Sequence, residues 1–323
     1  MTSAFGLLCR LVVLAVSFAV GAAQAQEWPK QQPIKILVGF AAGGGNDVFA
    51  RLVGQKLTEK LGQSVVIENR TGAGSIIAFD ATARAAADGY TLLIAPFGAT
   101  IVNPAVYAKL PYDPAQLLPL SIVASFPFVL VVRSDAGINS VADLVAAAKA
   151  QPDKANYGIP SVTFQLLGEQ LKQRTGAPFE HIPFRGTNEV LAAMLSGQLL
   201  MSFVDPGPLL GHLKGGRVKA LAHSGSTRFP LLPDVPTMEE VGFKGVSMDS
   251  FMGFMAQRAL PEAIAKRLES EFIAMAKDKE FADKILHHGL VPVGSTSKEF
   301  ADRIAREAPM WKEVATRAKI QLQ

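Results

Sequence analysis

Side chains able to do covalent chemistry are few in this sequence and badly spaced for it. No Gly-x-Ser-x-Gly run sets a serine on a strand-to-helix elbow. The five histidines, His181, His212, His223, His287 and His288, include no pair at the His-Glu-x-x-His spacing that places two imidazoles on one metal. His287 and His288 are neighbours on a predicted helix and so point in different directions. Asp205 and Asp249 each stand alone among apolar residues, where an acid more often holds structure or contacts a ligand than forms half of an acid–base pair. The pattern predicts binding without catalysis: no catalytic residue, no metal site and no cofactor.

Three connections carry chemistry suited to binding. The first is Phe40-Ala41-Ala42-Gly43-Gly44-Gly45-Asn46-Asp47. Its consecutive glycines let the backbone approach a ligand with no side chain between. The amides then lead into a helix start, where the dipole favours an anion. The alternative is a flexible turn capped by Asn46 or Asp47. It is not a Walker loop, because no Gly-Lys-Ser/Thr follows. The second is Asn69-Arg70-Thr71-Gly72-Ala73-Gly74-Ser75, a poor copy of a dinucleotide fingerprint, since Ile77 takes the place of its last glycine. Ser75 lies at a helix start and either caps it or offers its hydroxyl to a ligand. The third is Gly158-Ile159-Pro160-Ser161-Val162-Thr163, with Ser161 and Thr163 as its hydroxyls. These too either cap the following helix or reach a ligand.

The elements that would position these connections alternate. Residues 34–40 read as a buried strand. In the helix that follows from about Asp47, Val48, Leu52, Val53, Leu57 and Leu61 form an apolar stripe, and Gly62 is its C-cap. Strands at 65–68 and 90–95 flank a helix at 76–87. Past the apolar stretch 122–132 the grammar repeats, with helices at 141–149 (capped by Ser140), 164–174 and 189–195 between short strands. Another apolar segment, 246–256, precedes helices at 262–276, 279–287 and 297–316. Apolar strands separated by helices predict an α/β protein with a mostly parallel sheet covered on both faces. Two such units are either separate beads or lobes joined by crossing strands, and 122–132 and 246–256 lie where crossing strands would have to be. Ligands of such sheets bind outside the carboxyl ends of the strands.

Residues 1–25 have the form of a cleavable signal peptide: Arg10, an apolar run over 11–20, and the small-residue stretch 21–25 with an Ala-x-Ala site before Gln26. The run is shorter than the roughly 20 residues of a membrane span. The single cysteine of the chain, Cys9, lies inside that segment, so the mature chain holds no disulfide, thiol nucleophile or thiolate metal site. The net charge of +4 suits a protein that meets anions and is too small and scattered for nucleic acid.

The sequence resembles the extracytoplasmic solute-binding receptors of tripartite tricarboxylate transporters, the Bug family. The marks run nearly end to end. They begin at Trp28-Pro29 and Pro33-Ile34-Lys35-Ile36-Leu37-Val38 and include the Phe40 to Asp47 connection with Ala50-Arg51. They continue through Leu61-Gly62-Gln63, Val66-Ile67-Glu68-Asn69-Arg70, Gly72-Ala73-Gly74, Asp88-Gly89-Tyr90-Thr91-Leu92-Leu93, Asn103-Pro104 and Leu110-Pro111-Tyr112-Asp113-Pro114. Gly197-Gln198, Lys219-Ala220-Leu221-Ala222, Leu232-Pro233-Asp234-Val235-Pro236-Thr237 and Glu240-Val241-Gly242 complete them. The resemblance implies a periplasmic-binding-protein-like type II fold, two lobes joined by two crossing strands and closing on a small carboxylate. On that reading residues 26–124 with 249–323 form lobe 1 and 125–248 lobe 2, with hinges near Ala124 and Met248. The family's first-lobe loop maps onto residues 41–47 and its second glycine connection onto 72–75.

The chain departs from the family pattern in two places. The connection after Asn156-Tyr157 is two residues shorter, with Gln165 where a histidine would stand. Leu200 replaces the first acid before Phe203-Val204-Asp205. The expected ligand-binding set is Ala42, Gly43, Gly44, Gly45, Asn46, Asp47, Ser75, Tyr157, Ser161, Thr163 and Asp205. The expected function is a monomeric periplasmic receptor that takes a small organic anion to the membrane permease subunits of a tripartite transporter. The alternatives are a ligand sensor acting on a membrane signalling partner and a secreted α/β hydrolase.

Overall fold

The structure is a computed structural model that describes residues 28–322; the signal peptide expected at residues 1–25 lies outside the described residues. The first unit alternates as expected: β1 (Ile34–Val38), α1 (Gly45–Leu61), β2 (Val65–Asn69), α2 (Ile76–Ala83) and β3 (Thr91–Pro96). A π-turn at Gly98–Val102 runs into the short helix α3 (Asn103–Val106) before the long strand β4 (Leu117–Pro127). The next stretch holds β5 (Val129–Arg133), α4 (Val141–Ala150), β6 (Asn156–Ile159), α5 (Val162–Thr175), β7 (Glu180–Pro183), α6 (Thr187–Leu195), β8 (Ser202–Val204), α7 (Pro206–Lys214) and β9 (Val218–His223). The chain then returns through β10 (Asp249–Gln257), α8 (Glu262–Lys277), α9 (Lys279–His287), β11 (Val291–Pro292) and α10 (Ser297–Arg317).

The main sheet has the order β11-β4-β10-β3-β1-β2. Strands β1, β2 and β3 are parallel, whereas β10 runs antiparallel to β3 and to β4, and β11 antiparallel to β4. The expected mostly parallel sheet is therefore mixed. The reason is topological: β4 leaves this sheet and β10 comes back beside it, so the two must point in opposite directions. A three-stranded sheet β8-β5-β9 and the parallel pair β6-β7 make the other unit, linked by a parallel bridge between Tyr157 and Met201.

The buried face of α1 is Phe49, Ala50, Val53, Gly54 and Leu57, one residue round from the predicted stripe, so that Val48, Leu52 and Leu61 are only partly covered. The C-terminal helix α10 lies against the main sheet: Trp311 meets Phe97 edge-on at 5.9 Å, Phe97 meets Phe251 at 5.6 Å, and Phe251 meets Phe300 at 5.2 Å. A small core of Val129, Val131, Val190, Leu191, Met194 and Leu209 packs within the second unit, while Leu144, Leu166, Leu171 and Phe179 of that unit belong to the cluster that continues from the main sheet. Large aromatic side chains of this kind dominate core energetics through the area they bury.

Candidate functional site

The parallel strands β1, β2 and β3 end at one edge of the main sheet, and the first two glycine connections leave from there. Gly43 has φ +81°, a conformation open to glycine, while Gly44 sits at the N-cap of α1 in ordinary extended backbone. Residues 42–45 are exposed. The amides of Gly45, Asn46 and Asp47 have no acceptor among the described residues, because no side chain caps α1. Three free N–H groups at the positive end of a helix are donors of the kind that suit an anion.

The Asp47 side chain takes a role that the sequence did not suggest, while its amide stays at the helix start. Its carboxylate, 1% exposed, accepts from the Gly43 amide at 2.8 Å, from Arg51 at 2.9 and 3.0 Å, and from Asn69 Nδ2 at 2.9 Å. With its lone pairs taken, it pegs the glycine loop from below and has nothing left for a solute. The Arg51 guanidinium holds its carboxyl down at about 2, helped by the Gly43 and Asn69 donors against the cost of burial. Asn69 Nδ2 also donates to Phe40 O at 3.0 Å, tying the end of β2 to the first loop. Asn46 keeps a buried Oδ1 with no partner.

The second connection is strained. Gly72, Ala73, Gly74 and Ser75 have φ of 137, 45, 62 and 83°. For Ala73 and Ser75 this costs on the order of 1–3 kcal/mol each and persists only where surroundings impose it. Asn103 Nδ2 holds Gly74 O at 2.8 Å. The result is a serine pressed over the end of β1: a Cβ on Gly39 would lie 1.8 Å from Ser75 Oγ. Ser75 is 0% exposed, caps nothing, and its Oγ has no partner. An unpaired buried hydroxyl costs about 1–3 kcal/mol, a cost that an arriving acceptor removes.

In the second unit the ends of β6, β7 and β8 lead into α5, α6 and α7. Ser161 is exposed at the N-cap of α5 and makes no capping bond, and the amides of Val162 and Thr163 have no acceptor among the described residues. Thr163 is buried where this rim meets the first: a Cβ on Gly98 would lie 2.7 Å from Thr163 Oγ1. Phe164 packs beside it with its ring tilted against Phe128, the centroids 4.5 Å apart. Asp205, at the N-cap of α7, accepts from Thr187 Oγ1 at 2.6 Å and caps nothing itself. It keeps some exposed surface yet is hemmed in by protein, and the loss of water pushes its carboxyl up, with the Thr187 bond opposing. Tyr157 does not join this set. Its ring, 1% exposed, packs on Gly168, and its hydroxyl donates to Gln165 O at 3.4 Å, which also keeps the phenol neutral by burial.

Sequence reasoning missed Gly39, Gly98 and Thr187, and gave Asn69 no role of its own within the second connection. Thr187 was open to discovery as a hydroxyl at a helix start; the two glycines matter only through side chains far away in sequence. Among the described residues no group of three or more His, Cys, Asp and Glu side chains could hold a metal.

Two helix-lined sheet edges that meet at Gly98 and Thr163, joined by paired strands, define a two-lobed solute-binding protein of the type II class. The chain belongs to the tripartite tricarboxylate transporter receptor family, whose profile matches residues 49–319. Receptors of that family are periplasmic and work with the permeases of tripartite transporters. Protein BugT of Bordetella pertussis is 32% identical over 307 residues, 94% of each chain. An R. palustris protein, Rpa4515, solved with adipate, superimposes with a TM-score of 0.82 at 31% identity, covering 91% of this chain and 99% of that one. MatC of Rhodopseudomonas palustris, solved with malate, gives 0.77 at 26% identity, covering 88% and 99%.

Proposed function

We propose that this protein is a monomeric receptor, exported by residues 1–25, that closes on a small organic acid between a lobe of residues 26–124 with 249–323 and a lobe of residues 125–248. It delivers that acid to the permease subunits of its transporter and performs no chemistry on it. One solute carboxylate sits on the free amides of Gly45, Asn46 and Asp47 and takes the Ser75 hydroxyl. The observation that carries this reading is the pairing of an uncapped helix start with a buried, partnerless serine. Ser161, the Val162 and Thr163 amides, and Asp205 meet the rest of the solute. Because Gln165 adds no positive charge and Asp205 presents carboxyl oxygens as acceptors, that end favours a hydrogen-bond donor over a second full negative charge. The relatives solved with adipate and malate support a small organic acid as the solute, and both of those acids differ from the one favoured here in carrying a second carboxylate.

Thermal unfolding against a panel of organic acids that includes adipate and malate tests this. A ligand at 100 times its dissociation constant should stabilise the protein by roughly 2.7 kcal/mol and raise the melting temperature clearly. Ser75→Ala should leave the unliganded melting temperature unchanged or higher and remove most of the shift. A shift with sugars alone, or an undiminished shift in the variant, would refute the reading.

A further inference from the structure

The chain crosses from the main sheet to the smaller one at Phe128, between β4 and β5, and returns at Met248, just before β10. Pro127 pairs with Asp249, so the two crossings lie side by side. Both are fastened to one residue, Ser224, which follows β9 and is 0% exposed. Its N–H donates to Phe128 O at 2.8 Å, and its Oγ accepts from the Phe128 N–H at 2.9 Å. The same Oγ donates to Met248 O at 2.6 Å, and Ser224 O accepts from the Met248 N–H at 2.8 Å. Every backbone donor and acceptor of both crossing residues therefore ends on a single serine.

The next residues extend the fastening toward β10. Ser226 N–H donates to both Asp249 oxygens at 3.2 Å, and a Cβ on Gly225 would lie 3.1 Å from Pro127 Cβ. Arg303 of α10 donates to Asp249 O while lying 4.7 Å over the Phe251 ring. The segment after β9 thus sits between the crossings as a shared anchor on the side of the smaller sheet.

We propose that Ser224 is a positioning residue that makes the two crossing strands bend as one hinge. A rotation at Phe128 that leaves Met248 behind breaks two buried hydrogen bonds, each weighing against that state by about tenfold. A joint rotation keeps all four. The two crossings have one low-energy mode of relative motion, although each strand alone could flex independently. The hydrogen bonds of Ser224 go to Phe128 and Met248 and to no residue proposed to hold the solute, so its effect on capture runs through the crossings.

The test needs no solute, which keeps its failure separate from failure of the receptor reading. Lys60, at the end of α1, and Lys149, at the end of α4, are both exposed. In a chain whose only native cysteine is Cys9, Cys9→Ser with Lys60→Cys and Lys149→Cys allows clean spin labelling across the two units. The native hinge should give one narrow distance distribution by pulsed electron resonance, and Ser224→Ala should broaden it or add a second population. Should that variant fail to fold, amide exchange in the unaltered protein decides. The Phe128 and Met248 amides should open together, with protection factors within about threefold of each other. An unchanged distribution in Ser224→Ala, or protection factors of the two amides more than tenfold apart, would overturn the proposal.

Discussion

Asp47 is the residue whose role changed most between sequence and structure, and its new role has a consequence in acid. Four hydrogen bonds from Gly43, Arg51 and Asn69 favour its charged form, so its folded pKa is about 2 against an ordinary 3.8. A depressed carboxylate contributes stability that is complete above the unfolded value and lost as the pH falls through the folded one. The melting temperature of the native protein should therefore exceed that of Asp47→Asn by a constant margin above about pH 4.5. The margin should shrink toward zero near pH 2; a margin that persists there would mean that the charge does not matter. The Asp47–Arg51 pair was legible as an i, i+4 spacing. The donors from Gly43 and Asn69 were not, since they come from a turn and from the end of a neighbouring strand. Ser75 was legible only as a hydroxyl near a helix start, because nothing local records that Gly39 leaves room for it.

The elements that carry an ordinary period were easy to read. Helices α4, α9 and α10 and strands β1 to β3 lie within a few residues of their predicted places, and Ser140 caps α4 through Asp143 N–H at 3.0 Å as expected. Helix α7 was hidden because Pro206, Gly207, Pro208 and Gly211 look like loop, although proline is at home in a first turn. The π-turn at Gly98–Val102 was hidden too, and it places Gly98 beneath Thr163. A valine at Gly98 would drive two methyl groups into the Thr163 side chain and hold the start of α5 off the end of β3. We expect Gly98→Val to weaken solute binding by at least about tenfold, the weight of a lost buried hydrogen bond, while circular dichroism stays native. Calorimetric titration with whichever acid stabilises the native protein reads this directly, and an unchanged affinity would mean that the two rims need not touch.

At the scale of the whole molecule, the two unusually apolar stretches read as crossing strands do contain the passages between sheets, at Phe128 and Met248, but the outward one lies beyond the Ala124 expected for it. Strand β4 continues through Ala124 to Pro127 because β10 pairs with it along that length, and the break falls at Phe128. Apolar character alone cannot mark such a break, since a strand buried in one sheet and a strand buried in two have the same composition. If the two lobes close on a solute about this passage, small-angle scattering should record a smaller radius of gyration in the presence of the stabilising acid. No contraction would mean that the solute enters a cleft already shut.

The free amides at the start of α1 have one more implication. A side chain that recognises a ligand can be exchanged by a single codon change, whereas a main-chain N–H survives every substitution except proline. The seat proposed at Gly45, Asn46 and Asp47 is thus heritable independently of the side chains at those positions. Descendants of one ancestral receptor can keep the anchor while the opposite rim drifts toward new solutes, which separates the inheritance of holding an acid from the inheritance of choosing which one.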